Sequence, residues 1–567
     1  MQKRLLVLAG AILTSVNLMA QKRPEFVNFI NSNHSWVDSV FNSLSPKERI
    51  AQLFLVRAHS NLGQNYIDSV QRVIEKEQLG GLVVFQGGPV RHLDMINNYQ
   101  KVSKVPLLVT FDGEWGLGMR LPDSTQSFPY QMTLGALQDN SMIYEMGRQV
   151  AKDFLRLGMH FNFAPTVDIN NNPKNPVIGF RSFGDNKENV TEKSAAYMQG
   201  MIDGGVLASI KHFPGHGDTD VDSHYDLPKL TFTKQRLQEL ELYPFRELIK
   251  NGATAVMVGH MDIPALDDTP NLPSSISKKV VTDLLRNDLQ FKGLTVTDAM
   301  NMKGVTKFFP NGEADILAIE AGHDLLELSE NSARAIALVE KSIQSGRLNQ
   351  QDIDARVKRV LAAKLWLGLD DYVAANRNNT YQDINRPDTK SLIQRMADHS
   401  ITVLKSRKRI ESFNPRKHTA IVSVGVDNAQ DFEKGLPPRL SSTTNYYISG
   451  KQNELELEGL IKQVRSHDQI ILVIHDNRAR PRPTLDFSDA VNKFIKKIAG
   501  RRTITVMLTN PYAISSININ RSSSIIMSYQ NESFMQKAAL KVILNDMPSK
   551  GKLPVTISKR YAFGKGL

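Results

Sequence analysis

A recurrence constrains this chain more than any other feature. Between Gln52 and Leu328 a short apolar run followed by a helical pattern repeats eight times. The runs are Gln52–Val56, Leu82–Phe85, Leu107–Phe111, His160–Ala164, Leu207–Lys211, Ala255–Gly259, Leu294–Thr297 and Leu325–Leu328. Helical patterns stand between several of them, at Tyr66–Glu77, Met142–Leu157, Val190–Asp203 and Lys234–Lys250. Strands alternating with helices in this way form a parallel sheet, and eight units predict a (β/α)8 barrel. Polar residues point the same way. Asp112 follows the third run, Asp168 and Arg181 the fourth, Lys211 and His212 end the fifth, His260 follows the sixth, and Asp298 ends the seventh. The C-terminal face of a barrel is where its enzymes hold their chemistry, whereas an open doubly wound sheet gathers its ligand groups at one switch point.

At 567 residues the chain is too long for one hydrophobic core. Asp370–Lys390, rich in Asn, Asp, Arg and Tyr, has the composition of a linker. Beyond it, Ala420–Val424, Tyr446–Ser449, Gln469–Ile474, Thr503–Leu508 and Ser524–Ser528 alternate with helical patterns such as Ser488–Ile498 and Ser533–Leu544. We expect the barrel over residues 21–370, a linker over 371–390 and a smaller α/β sandwich over 391–567. The last is expected to be scaffold, because few of its strand ends carry paired acids or histidines.

At the N-terminus, Met1-Gln2-Lys3-Arg4 is basic, Leu5–Val16 is mostly apolar, and Asn17–Ala20 adds a polar break and a small residue. This three-part form predicts a secretory signal over residues 1–20, cut before Gln21. The apolar run is too short to span a bilayer, and no later segment is apolar enough to do so. An exported, periplasmic protein follows as the expectation. The chain has no cysteine, which excludes a lipid-modified cysteine, disulfides and thiolate metal sites. Losing Lys3 and Arg4 takes the net charge from +12 down by two. No long Lys/Arg block accompanies that charge, so a solvated basic surface explains it better than nucleic-acid binding.

Chemistry concentrates in residues 211–228, which hold three histidines and four aspartates around Pro214, Gly215 and Gly217. A zinc site from His212 and His216 would need a helix to bring both rings to one face, and Pro214-Gly215 removes it. A calcium loop from Asp218, Asp220 and Asp222 fails as well. Ser223 stands where its glycine is required, and Lys229 where the bidentate glutamate belongs. No metal and no cofactor are expected. Two readings are left: a loop of satisfied polar groups without chemistry, or acid/base work by Asp222 and His224, in which a carboxylate beside an imidazole fixes its tautomer and keeps its pKa near working pH. The end of Leu294–Thr297 then offers Asp298, either a nucleophile for an anomeric carbon or a structural hydrogen-bond acceptor.

Lys-His-Phe-Pro-Gly-His-Gly-Asp-Thr followed by Asp-Ser-His, at Lys211–His224, resembles the signature of bacterial β-N-acetylglucosaminidases of glycoside hydrolase family 3. The likeness runs from about Leu44 through Leu369 and extends to the C-terminal part ending Gly551-Lys552-Leu553-Pro554. The chain resembles the hydrolase part of envelope proteins in which such an enzyme precedes a serine β-lactamase-like domain. The resemblance implies Asp298 as nucleophile, His224 as general acid/base and Asp222 as the residue orienting it. It also implies a sugar pocket lined by Asp112, Arg120, Arg181, Lys211 and His212. One departure stands out: the family commonly has Gly-Gly-Arg soon after the pocket aspartate, and here Gly116-Leu117-Gly118 follows Trp115. Trp115 is expected to stack on a sugar face.

These parts imply a retaining exo-β-N-acetylglucosaminidase acting through a glycosyl-aspartate, with peptidoglycan fragments (muropeptides) as the expected substrate. Because a neutral imidazole does not repel an anion as a carboxylate would, a phosphorylase on the same site is the alternative. A serine hydrolase built on Ser275-Ile276-Ser277-Lys278 is disfavoured, because no Lys-Thr-Gly accompanies it and helix capping explains the serines. A non-catalytic sugar-binding protein would have lost one of Asp222, His224 or Asp298, and all three are present.

Overall fold

The computed structural model describes residues 23–122, 124–406 and 413–567, so the expected signal at residues 1–20 lies outside the described residues. Eight parallel strands form the first sheet, in the order β7-β6-β5-β4-β3-β2-β1-β8. They are β1 (Phe54–Ala58), β2 (Gly81–Val84), β3 (Leu108–Phe111), β4 (Phe161–Asn162), β5 (Leu207–Phe213), β6 (Ala255–Val258), β7 (Leu294–Thr297) and β8 (Leu326–Glu327). The ring closes where Val296 of β7 bridges Leu325 at the start of β8. The sheet is therefore a (β/α)8 barrel, with every expected strand in place. Stretches such as Leu82–Val84 and Ala255–Val258 are buried along their whole length, as a parallel sheet covered on both faces requires.

Helices fill the crossovers, including Gln64–Glu77, Ser141–Arg156 and Lys187–Asp203. The single helix expected over Lys234–Lys250 is two, Lys234–Glu239 and Tyr243–Lys250. Leu240 leaves helical geometry at φ −123° and ψ −76°, and Pro244, lacking an amide hydrogen, opens the second helix.

The second sheet has six strands in the order β11-β10-β12-β13-β14-β9, formed by β9 (Thr402–Ser406), β10 (His418–Val424), β11 (Ser442–Ile448), β12 (Gln469–His475), β13 (Thr503–Leu508) and β14 (Ser524–Met527). Five strands are parallel, and β9 pairs with β14 antiparallel at the edge. Alternating residues face two layers. Ala420, Val422 and Val424 pack with the helices Glu454–Arg465 and Asp489–Ile498. On the other face, Ile421, Ile471 and Val473 pack with Pro387–Ser400 and Ser533–Ile543. The result is a three-layer α/β sandwich.

The polar stretch between the two sheets is strapped down. It contains the helix Thr380–Ile384, and Arg156 bonds the Asp383 carboxylate at 2.8 Å and the carbonyls of Asn376 and Asn378 at 2.7 and 2.6 Å. The second sheet meets the barrel on loops that follow β3 and β4. Gln530 Oε1 accepts from Tyr130 N at 2.8 Å and Thr133 Oγ1 at 2.7 Å, and Asn170 Nδ2 donates to Tyr512 OH at 3.2 Å. The second domain thus braces the rim at which the barrel strands end.

Candidate active site

β5 carries Lys211 and His212 into the barrel mouth, and Pro214 and Gly215 (φ 134°) end it. The Lys211 ammonium lies between the half-buried Asp112 and the buried Glu114, donating to Asp112 Oδ1 at 2.9 Å and standing 3.0 Å from Glu114 Oε1. Arg120 bonds the second oxygen of Asp112 and stacks over the Phe85 ring, 4.6 Å from its centroid. Arg181 grips Glu114 in a fork, Nε to Oε2 at 2.9 Å and Nη2 to Oε1 at 2.6 Å. Burial alone would raise both acids. Lys211 and Arg120 instead hold Asp112 well below the carboxylate range, while Arg181 and Lys211 hold Glu114 at about 2. Burial would likewise lower Lys211, but Asp112 and Glu114 keep it above its ordinary value. The network is fully ionised at neutral pH.

A further carboxylate, fully buried, orients the histidines. Asp168 accepts from His212 Nδ1 at 2.7 Å, from the His216 amide at 2.7 Å, and from the His212 amide at 3.2 Å. With Nδ1 so engaged, His212 turns Nε2 away from Asp168. His216 is used within its own loop, between Thr219 Oγ1 at 2.9 Å and Ser223 Oγ at 3.2 Å, and burial lowers it to about 4. Gly217 is required here, since a Cβ would stand 1.7 Å from the Ile169 carbonyl.

Past Gly217 the loop opens outward. Asp222 Oδ1 accepts from both the His224 amide at 2.9 Å and the His224 Nδ1 at 2.7 Å, so one oxygen sets the turn and the ring together. The hydrogen bond to Asp222 raises the His224 pKa above its ordinary value; burial opposes this and the Asp298 charge reinforces it. The loop is tied to the segment after β7. Gly304 N donates to Ser223 O at 3.3 Å, and Lys307 Nζ pairs with Asp226 at 3.0 Å. That tether brings His224 toward Asp298, whose Oδ1 accepts from the Ala299 amide at 2.8 Å. Burial would raise Asp298, but the imidazoles of His260 and His212 and the Ala299 amide hold it at about 2.

All eight residues singled out in the sequence (Asp112, Arg120, Arg181, Lys211, His212, Asp222, His224 and Asp298) therefore stand at one end of the barrel. Two more complete the arrangement: Glu114, which the sequence did not single out and which pairs Arg181 with Lys211, and Asp168, which the sequence shows as a strand-end acid and which sets His212. Trp115 stands in an aromatic cluster, 4.9 Å from Tyr130 and 6.0 Å from Phe180 between ring centroids, rather than alone on a sugar face. Leu117 is buried in the barrel core. In Ser275-Ile276-Ser277-Lys278, Ser275 bonds His260 Nδ1 at 2.6 Å and Ser277 bonds Asp267 at 2.6 Å, while Lys278 is exposed. Those serines are structural.

An anionic carboxylate whose charge reaches a carboxylate-bound imidazole, beside a pocket of fixed charges, fits displacement at a sugar carbon. Comparison with known proteins agrees. The chain is similar to β-hexosaminidase A of Pseudoalteromonas piscicida, 27% identical over 86% of this chain and 91% of the relative. It is 30% identical to β-hexosaminidase LpqI of Mycobacterium tuberculosis over 57% of this chain and 83% of that protein. The structure of a family 3 β-N-acetylglucosaminidase from Paenibacillus sp. str. FPU-7 superposes with a TM-score of 0.77 at 29% identity, covering 91% of this chain and 99% of that one. Residues 46–363 match the glycosyl hydrolase family 3 N-terminal domain, and the chain belongs to glycoside hydrolase family 3.

Proposed function

We propose that the protein is a retaining exo-β-N-acetylglucosaminidase that acts through a covalent glycosyl-Asp298 intermediate. The observation that carries this is the pairing of a half-buried, ionised Asp298 with a His224 held by Asp222 on a loop tethered beside it. The names of the relatives support a β-hexosaminide as the substrate. In the first half-reaction the Asp298 carboxylate attacks C1, the bond from C1 to the aglycone oxygen breaks, and His224 gives its proton to that oxygen. In the second, water attacks C1, the bond to Asp298 breaks, and His224 takes the proton of the water. Two inversions give net retention.

Asp112, Lys211, Arg120, Arg181 and His212 bind the sugar. Their groups are fixed before substrate arrives, so little ordering remains for binding to supply. The expected aglycone is N-acetylmuramic acid or its anhydro form in cell-wall fragments, reached by export of the chain to the periplasm. Among the described residues no helix is long and apolar enough to cross a membrane. The test is hydrolysis of a panel of β-N-acetylglucosaminides, including chitobiose and purified muropeptides, with products identified by mass. Release of N-acetylglucosamine from muropeptides at the highest kcat/KM supports the reading. Turnover of β-glucosides in preference to every N-acetylglucosaminide would overturn it.

A further inference from the structure

Another carboxyl stands at the same end of the barrel and has no part in the steps above. Glu327 ends β8 and is only 4% exposed. Its backbone is pinned to the neighbouring strand: the amide donates to Thr297 Oγ1 at 2.9 Å and the carbonyl accepts from the Met300 amide at 2.8 Å. Among the described residues no group hydrogen-bonds its carboxyl. The charged groups that face it come from across the mouth: Asp112 after β3 and Asp298 after β7, with Lys211 on β5 and Arg120 beyond β3.

Charge counting decides the form of this acid. Lys211, Arg120 and Arg181 are already taken by Asp112 and Glu114, while imidazoles are the counter-groups of Asp298 and Asp168, so another anion here would have no cation of its own. Burial first, then the charges of Asp112 and Asp298, push the Glu327 pKa well above the ordinary carboxyl value. Burial and the two neighbouring anions favour its neutral form, which has one O–H to donate. The carboxyl oxygens keep access to the mouth, where a bound sugar can complete their hydrogen bonds.

We infer that Glu327 binds the substrate sugar as a hydrogen-bond donor, meeting an oxygen of the pyranose seated between Asp112 and Asp298. This rests on the reading of the site as a hexosaminide pocket. Asp112 can only accept from sugar hydroxyls, so a neutral acid opposite it supplies the complementary donor. It does so without adding an anion beside the attacking carboxylate. When pH rises far enough to ionise Glu327, the donor is lost and a charge appears next to Asp298 and Asp112, so sugar affinity falls.

The test compares wild type, E327Q and E327A across pH. It measures kcat/KM on 4-nitrophenyl β-N-acetylglucosaminide and calorimetric binding of N-acetylglucosamine. The nitrophenolate leaves with little help from His224, so the alkaline limb on this substrate reports Glu327 rather than the general acid. Glutamine is isosteric, keeps a donor and cannot ionise. E327Q should stay within about threefold of wild type at neutral pH and lose the alkaline decline, while E327A should bind about tenfold more weakly. An E327Q variant that keeps the wild-type alkaline limb, or falls as far as E327A, overturns the inference. Should E327A fail to fold, the E327Q profile alone decides. A wild type that turns over no β-N-acetylglucosaminide would overturn the functional reading itself, which is distinct from an active enzyme whose E327Q profile is unchanged.

Discussion

Replacing His224 by alanine removes a group whose contribution depends on the aglycone. General acid catalysis is worth about 10²–10⁴-fold, or about 2.7–5.5 kcal/mol of barrier. A sugar alkoxide needs all of that protonation, so H224A should lose the full factor in kcat/KM on N,N′-diacetylchitobiose. On 4-nitrophenyl β-N-acetylglucosaminide the loss should be about tenfold or less, because the phenolate departs nearly unaided. Asp222 acts through the same ring and is worth less. The His224 and Asp222 side chains are 61% and 23% exposed, so the pair behaves as a surface ion pair of about 1 kcal/mol. D222N should therefore lose only about fivefold on the disaccharide. Were the pair as buried as Asp168–His212, breaking it would cost about 3–5 kcal/mol. Small anions such as azide should restore turnover in H224A by attacking the glycosyl-enzyme without needing a base. Equal losses on both substrates in H224A, with D298A still active, would make the histidine a binding residue and refute this reasoning.

Four further outcomes are expected. E114A strips the counter-charge from Arg181 and Lys211 and should destabilise the barrel by about 3–5 kcal/mol, read as a lower urea midpoint. Glu114 and Asp298 titrate at about 2 in the folded chain, below their unfolded values. Their contribution to stability is thus complete above about pH 5 and is lost as pH falls toward 2, which acid titration by fluorescence would follow, and E114Q should flatten that loss. Exhaustive chelation should leave activity intact, whereas loss that zinc or calcium restores would point to a metal mechanism. Protein purified from its host should begin at or near Gln21, and an intact Met1 in the cytosolic fraction would overturn export.

The barrel was legible because each of its strands is a run of apolar residues bounded by turns, and its catalytic candidates sit at the ends of those runs. What escaped was long-range. Thr402–Ser406 is a short, half-polar segment that becomes a strand only by pairing antiparallel with β14, more than a hundred residues later. Glu114 lies in the same loop as Asp112 and Trp115, and nothing local reveals that it meets Lys211 and Arg181. Asp168 was visible as a strand-end acid, but its bonds to His212 and His216 depend on the adjacency of β4 and β5. Glu327 did leave a signal: a lone acid within Leu325-Leu326-Glu327-Leu328, where burial without a partner marks either a fault or a site. The split of Lys234–Lys250 was announced by Pro244, which a periodicity count overlooks.

The covalent intermediate on Asp298 is tested most directly by trapping it. A 5-fluoro-N-acetylglucosaminyl fluoride reacts in the first step, because fluoride is a good leaving group, and turns over slowly in the second, because the ring fluorine disfavours the oxocarbenium-like transition state. Intact mass should rise by one glycosyl unit per chain, with peptide mapping placing the adduct on Asp298, and D298A should remain unlabelled. An inverted anomeric product by NMR, or a label on Asp222 or Glu327 instead, would contradict a double displacement through Asp298.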